Sequence, residues 1–307
     1  MSPPVLPPAV RVIVRGWLNC NQVVLRAPGA NVLVDSGYCT HAGRTLELVG
    51  EALEGEPLAG LVNTHCHSDH MGGNAAVAAR YDCGVTVPAG EVRHLVPWTP
   101  QSVWMEQFDQ QAVPFEFHDT LAAGQAFEAA GLHWQAHAAP GHDMDALVYF
   151  EPENCILISG DALWEHGMGF VWPEEGPNPH IAAAFETLDA IEALAPAVVI
   201  PGHGAPFAEV TRALDTARSR LAAFDGDPVK GARYAAKALF VYALLDKGSM
   251  AVADVPAYLG RVPCHVRLAE RFLRLSPQDM AGWMLADLAR SGAIRVADGR
   301  AWPTMPA

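Results

Sequence analysis

Six consecutive positions, His65-Cys66-His67-Ser68-Asp69-His70, hold three imidazoles and a carboxylate. Imidazole nitrogen and carboxylate oxygen are the donors that zinc and similar borderline cations take. Three later positions carry the same donor types: His142 in Ala139-Pro140-Gly141-His142, Asp161 in Ser159-Gly160-Asp161 and His203 in Pro201-Gly202-His203. Seven donors are about what two catalytic metal ions need if each keeps a position open. The demand on the fold is strict, because donors this far apart in sequence must meet. They can meet if the strands that precede them end along one edge of a sheet.

The surrounding pattern predicts that arrangement. Short β-rich runs at 10–14, 23–25 and 32–34 alternate with Asn-, Pro- and Gly-rich breaks. Helical spacing follows at 42–53, with Leu46, Val49 and Leu53 on one face. A strand at 61–63 delivers the histidine cluster, and an alanine-rich helix at 72–81 follows it. Further strands at 132–138, 146–150, 156–158 and 198–200 precede the later donors. While the chain is extended, His65 and His67 point to one side and Cys66 to the other, so Cys66 reads as buried behind the site. Beyond a break at 226–228, helices are expected at 232–245, 252–259, 266–273 and 277–291. A small hairpin around Asp298-Gly299 closes the chain. The charge divides similarly: residues 1–222 hold 9 Lys+Arg against 26 Asp+Glu, and residues 223–307 hold 11 against 8. Two units are therefore expected, 1–222 and 223–307.

The order HxHxDH, then GH, GD and GH, resembles the metallo-β-lactamase-fold hydrolases over roughly residues 10–222. Thr64-His65-x-His67-x-Asp69-His70 with a later Asp161 is similar to the glyoxalase II and quorum-signal lactonase branch. The resemblance implies an α/β fold, an αββα sandwich, and the helices ending in a hairpin resemble the winged-helix tails of some relatives. Carried over position by position, it implies one metal held by His65, His67 and His142 and a second by Asp69, His70 and His203. Asp161 would bridge two divalent ions, Zn2+ first, with Fe or Mn as other candidates. The implied mechanism is attack by a metal-bridging hydroxide, with Asp69 as the catalytic carboxylate that aims it. Asp35 matches a recurrent family position; it reads equally as support for a ligand histidine and as a strand-end turn former.

Two aromatic-rich segments, 97–117 and 163–173, could line a pocket or pack as a lid or as a contact between two copies of the chain. Trp164, Phe170 and Trp172 in the second are the candidate substrate contacts. His166 and His180 flank that segment, and His41, His94, His118, His133, His137 and His265 show no ligand spacing. A pocket of this kind takes a small molecule, and the expected reaction is hydrolysis of a carboxylic acid derivative, a thioester ahead of a lactone. The alternatives carried are an endoribonuclease-like nuclease, a mononuclear iron sulfur-oxygenase and a non-catalytic metal-binding module. A formal net charge of −14 argues against a polynucleotide partner. No apolar run approaches the roughly 20 residues of a membrane span. Scattered cysteines without C-x-x-C spacing, and a start at Met1-Ser2-Pro3-Pro4 without a secretion signal, point to the cytoplasm.

Overall fold

The computed structural model describes residues 4–307, so part of the N-terminal stretch behind the secretion reading lies outside the described residues. Strands β1 (Val10–Ile13), β2 (Gln22–Leu25), β3 (Asn31–Val34), β4 (Leu58–Val62), β5 (Gly84–Pro88) and β6 (Asp119–Leu121) form one sheet in chain order. Its β3, β4, β5 and β6 are parallel. The second sheet runs β11-β10-β9-β8-β7, from β7 (Ala126–Ala129), β8 (Leu132–Ala138), β9 (Leu147–Glu151), β10 (Ile156–Gly160) and β11 (Val198–Pro201). The pair β10–β11 is parallel, and β8 runs with them because β9 is antiparallel to both of its neighbours.

Alternation within single strands builds the layers. In β3, Val34 faces the second sheet while Leu33 faces the outer helices; in β4, Val62 and Leu61 divide in the same way. The inter-sheet layer packs Val23, Leu25, Val34 and Val62 against Trp134, Tyr149, Ile158 and Ile200. Helices Ala42–Leu53 and Asn74–Tyr81 cover one outer face through Val49, Leu53 and Val77. Helices Pro179–Leu194 and Val210–Asp225 cover the other through Ile181, Leu188, Ala213 and Leu221. Each such apolar side chain, removed from water, contributes roughly 1.5–3 kcal/mol before chain entropy is counted. The result is an αββα sandwich, as the resemblance implies.

The expected helices of the last part are present with shifted ends. Helix Pro228–Lys247 begins earlier than 232 because the Asp227 side chain accepts from Val229 N and Lys230 N, and Pro228 opens the first turn. Ser276 and Pro277 start the helix Pro277–Ser291 in the same way. Between them lie Val255–Arg261 and Pro263–Leu268, the latter running on through wider turns at Ala269–Leu273. The hairpin pairs β13 (Ile294–Ala297) with β14 (Arg300–Pro303), and β12 (Met250–Ala251) adds on the far side of β14. Asp298 and Gly299, at φ 51° and 70°, make its tight turn.

The chain breaks at Gly226-Asp227, after a helix that runs through position 222. The parts on either side share a core. Leu18 and Tyr38 are buried in the same cluster as Phe240, Leu244 and Leu268, and Trp17 N donates to Pro306 O at 2.9 Å. Among the described residues no helix is long and apolar enough to cross a membrane, and all six cysteines are free.

Candidate metal centre

The loop after β4 carries His65 and His67, and a one-turn helix, Ser68–Met71, carries Asp69 and His70. His142, Asp161 and His203 follow the ends of β8, β10 and β11. Those three strands point the same way, so their ends share an edge, and β4 faces that edge: Leu147 N donates to Thr64 O and the Tyr149 hydroxyl to Asn63 O. Glycines make room. A Cβ on Gly202 would lie 2.3 Å from Asp161 Oδ1, and Gly141, at φ 141°, passes within 2.7 Å of Ala184 Cβ by the same measure.

All seven candidate donors come together in two groups. His65, His67 and His142 offer ring nitrogens within 4.8 Å of one another, as do the donor atoms of Asp69, His70, Asp161 and His203. Asp161 lies between the groups. Its Oδ2 is 3.5 Å from His142 Nε2, and its Oδ1 is 3.3 Å from His70 Nε2 and 3.7 Å from His203 Nε2. Asp69 Oδ2 is 3.0 Å from His203 Nε2, and His67 Nδ1 is 2.9 Å from His142 Nε2.

The outward nitrogens are pinned. Asp35 Oδ2 lies 2.8 Å from His70 Nδ1, Thr64 Oγ1 3.1 Å from His65 Nδ1, Asp143 Oδ2 3.3 Å from His67 Nε2, and the Phe170 carbonyl 2.6 Å from His142 Nδ1. Such contacts fix the tautomer, leaving the inner nitrogen free to donate a lone pair. Asp35 also takes up the turn role, at φ 59° with its oxygens accepting from Thr64 N and Thr64 Oγ1. The two readings of Asp35 describe one residue.

Burial depresses the pKa of His65 well below the ordinary value and that of His67 to about 4, so both rings are neutral at pH 7. Burial also works against charge on Asp161, yet His203, His70 and His142 hold its carboxyl well below the usual range. His70 is the opposite case: burial disfavours its charge, but Cys20, Asp35, Asp161 and Asp69 outweigh it and raise its pKa. Two buried inner atoms, His65 Nε2 and His70 Nε2, have no hydrogen-bond partner. An unpartnered buried nitrogen costs about 1–3 kcal/mol, and a cation at each group removes that cost. These residues fit a pair of divalent ions.

The donors open into a cavity of about 690 Å³. Trp164 stands at its floor, its Nε1 donating to Asp161 Oδ1 and its ring 5.2 Å from His203. Phe170 reaches the cavity 5.5 Å from His142, and Trp172 lies farther out on the same wall. The first aromatic segment divides: Trp104 and Phe108 line the cavity, while Trp98, Phe115 and Phe117 pack under the first sheet. His180 and His94 also reach the wall, whereas His166 is exposed. Cys66 turns into the core, where burial and Glu91 raise its thiol pKa well above the ordinary value.

Sequence reasoning missed several contacts. Asp143 had a signal, since it adjoins His142. Trp17, which stacks on His203 at 5.4 Å and 4°, and Tyr242, whose hydroxyl lies 3.3 Å from Ser68 Oγ, had none. Both are brought in from distant parts of the chain.

A model of the Metallo-beta-lactamase superfamily matches residues 15–203. Hydroxyacylglutathione hydrolases are among the curated relatives. One from Synechococcus sp. (strain JA-3-3Ab) is 31% identical over 38% of each chain, and one from Rhodopseudomonas palustris (strain BisA53) 29% over 42% of each. These two matches thus span about two fifths of the relatives' length. A third, from Rhodospirillum rubrum, is 28% identical over 76% of this chain and 75% of its own. Among solved structures, a metallo-beta-lactamase family protein from Thermus thermophilus superposes with a TM-score of 0.59 at 21% identity, covering 97% of this chain and all of its own. A beta-lactamase domain protein from Burkholderia ambifaria gives 0.54 at 21%, over 98% and 93% of the two chains.

Proposed function

This chain belongs to the metallo-beta-lactamase superfamily, and from that premise we propose that it is a dinuclear metal-dependent hydrolase of carboxylic acid derivatives, thioesters ahead of lactones. The observation that carries the reading is Asp161, which turns one oxygen toward each donor group at the floor of a roomy cavity. In this reading His65, His67 and His142 would hold one ion and Asp69, His70 and His203 the other, with Asp161 available to both. Zn2+ is the first choice for these nitrogen and oxygen donors, with Fe and Mn open to the same set. Two bound divalent ions supply Lewis acidity and lower the pKa of a bound water toward about 7.

The protein's own groups do the rest. Asp69 gives Oδ2 to the His203 side and keeps Oδ1 to accept a hydrogen bond from the attacking water, which fixes its aim. Trp17 stacks on the His203 ring and Trp164 meets it edge-on, and together they keep bulk water away from it. Phe170 positions His142 through its backbone carbonyl and offers its ring to the substrate. A thiolate, whose conjugate thiol has a pKa of about 8.5, departs without a strong proton donor. That suits a site whose carboxylates and imidazoles are occupied as donors and in ion pairs. The curated relatives' name, hydroxyacylglutathione hydrolase, points to the same bond type.

Residues 1–222 carry this chemistry in the proposal, and residues 223–307 complete the cavity wall. The substrate is a small molecule. The free cysteines fit a reducing compartment, and the cytoplasm is the proposed location. The test is thiol release from a panel of acyl thioesters by zinc-loaded protein, with metal content measured alongside and Asp69→Ala as control. Two zinc ions per chain, and release that the control loses, support the reading. A single iron with little zinc in freshly purified protein, or equal release by the control, refutes it.

A further inference from the structure

We infer that the arm of the cavity between the second aromatic segment and the C-terminal helices holds a bulky, uncharged acyl chain, while the thiol portion of the substrate leaves through the polar mouth. The inference rests on the hydrolase reading and adds a substrate class and an orientation to it.

Two parts of the cavity lining differ in chemistry. Near the mouth lie Arg93, His94, Met144 and Asp145, with Arg93 and Met144 exposed. Elsewhere in the lining Phe170 and Trp172 pack against the C-terminal core, in one cluster with Leu239, Leu288, Ala293 and Met305. Leu239 and Leu288 are only 6% and 4% exposed. This wall is built by residues 223–307, so a chain lacking them would have a metal centre open on one side.

Charge decides what the arm accepts. Among the described residues, three cations other than histidine reach the cavity wall, and each has a carboxylate beside it. Arg93 pairs with Asp145, Lys237 with Asp287 at 2.7 Å and Arg267 with Glu174 at 3.1 Å. Arg267 also lies over the Trp172 ring, 5.3 Å from its centroid. A carboxylate on the acyl chain would find each lining cation already paired, and to lie unpaired among the aromatic and aliphatic side chains is costly. An alkyl or aryl chain meets no such cost and gains from leaving water. A charged carrier on the thiol side stays at the mouth, where water is available.

The experiment uses zinc-loaded full-length protein and N-acetylcysteamine thioesters of acetyl, butyryl, hexanoyl and octanoyl groups, with succinyl as the charged match to butyryl. Transfer of a methylene from water corresponds to about fourfold in kcat/KM, so octanoyl should exceed acetyl by at least about tenfold even with imperfect fit. Succinyl should fall at least about tenfold below butyryl. Ala238 lines the arm at intermediate exposure, and Ala238→Phe should lower the octanoyl-to-acetyl ratio at least about tenfold. Ala293→Phe is the second variant, should the first fail to fold.

A binding arm reads the same preference without turnover. The octyl thioether of N-acetylcysteamine should shift the tryptophan fluorescence at lower concentration than the ethyl thioether, because Trp17, Trp164 and Trp172 face the cavity. Thiol release that ignores chain length, or that favours succinyl, overturns the inference and leaves the hydrolase reading standing. No release from any thioester, with the octyl ligand still bound more tightly, overturns the thioester reading and keeps the pocket assignment. Equal binding of both thioethers overturns the pocket assignment in either case.

Discussion

Replacing Asp35 by Asn tests whether the metal centre depends on a group that touches no metal. Asp35 is buried at 3% exposure and accepts from Thr64 N and Thr64 Oγ1, both at 2.8 Å. Its Oδ2 also lies 2.8 Å from His70 Nδ1. Asn fits the space and tolerates the left-handed backbone at φ 59°, so the turn itself survives. What changes is one oxygen into an NH2 group. Where that group faces His70 Nδ1, the ring must accept there and carry its proton on Nε2, the atom turned toward Asp161. The donor His70 would offer the second ion is then blocked. Losing such outer support costs metal affinity about 10–100-fold, or about 1.4–2.7 kcal/mol. Losing a buried charge-assisted hydrogen bond costs the metal-free fold about 1.5–3 kcal/mol. Asp35→Ala adds about 1–2 kcal/mol, because a Cβ without a compensating side chain strains the left-handed conformation. Competition for zinc against a chromogenic chelator should show one ion bound as in the parent and the second at least tenfold weaker. Urea unfolding should rank the parent above Asn and Asn above Ala. Two ions bound with parental affinity in Asp35→Asn would refute the tautomer argument and leave Asp35 a turn former alone.

Asp69→Ala should lower turnover about 10²–10⁴-fold, with the melting temperature of the metal-free protein little changed; parental rates would refute the proposed mechanism. Removing residues 223–307 uncovers Leu18 and Tyr38, both fully buried, so the remaining chain should lose cooperative unfolding; a fragment that melts like the whole protein would show that the shared core does not matter. His265 is buried with neither ring nitrogen partnered, and burial lowers its pKa to about 4. The unfolded chain binds this proton below about 6.5, so stability is complete above that pH and falls as pH drops toward about 4, by roughly 3 kcal/mol. Metal-free His265→Leu should lack that part of the acid loss in pH-dependent urea titrations; parallel curves for the two proteins would refute the assignment.

The donor set was legible because its information is local. Residue type, the His65–His70 spacing and a strand before each donor group all lie within a few positions. The glycines before His142, Asp161 and His203 belong to the same signal, and Gly202 shows why: any side chain there would strike Asp161. The helix expected at 232–245 starts at Pro228 because the Asp227 cap and Pro228 set its first turn ahead of the apolar spacing.

Other features had no local signature. Nothing near Trp17 or Tyr242 marks either as a neighbour of the centre, and Leu239 and Leu288 read only as core residues of helices. The two uses of Asp35 could not be separated, since a turn former and a partner of His70 require the same residue. The residues along the chain carry the chemistry: which atoms can donate to a cation, and that their strands must end together. What surrounds that chemistry follows from packing. The direction and packing of the two sheets set which strand ends meet, and the core shared by Leu18, Tyr38 and the C-terminal helices sets which wall faces the centre. Donor chemistry is a property of single side chains, whereas a cavity exists only between elements already packed.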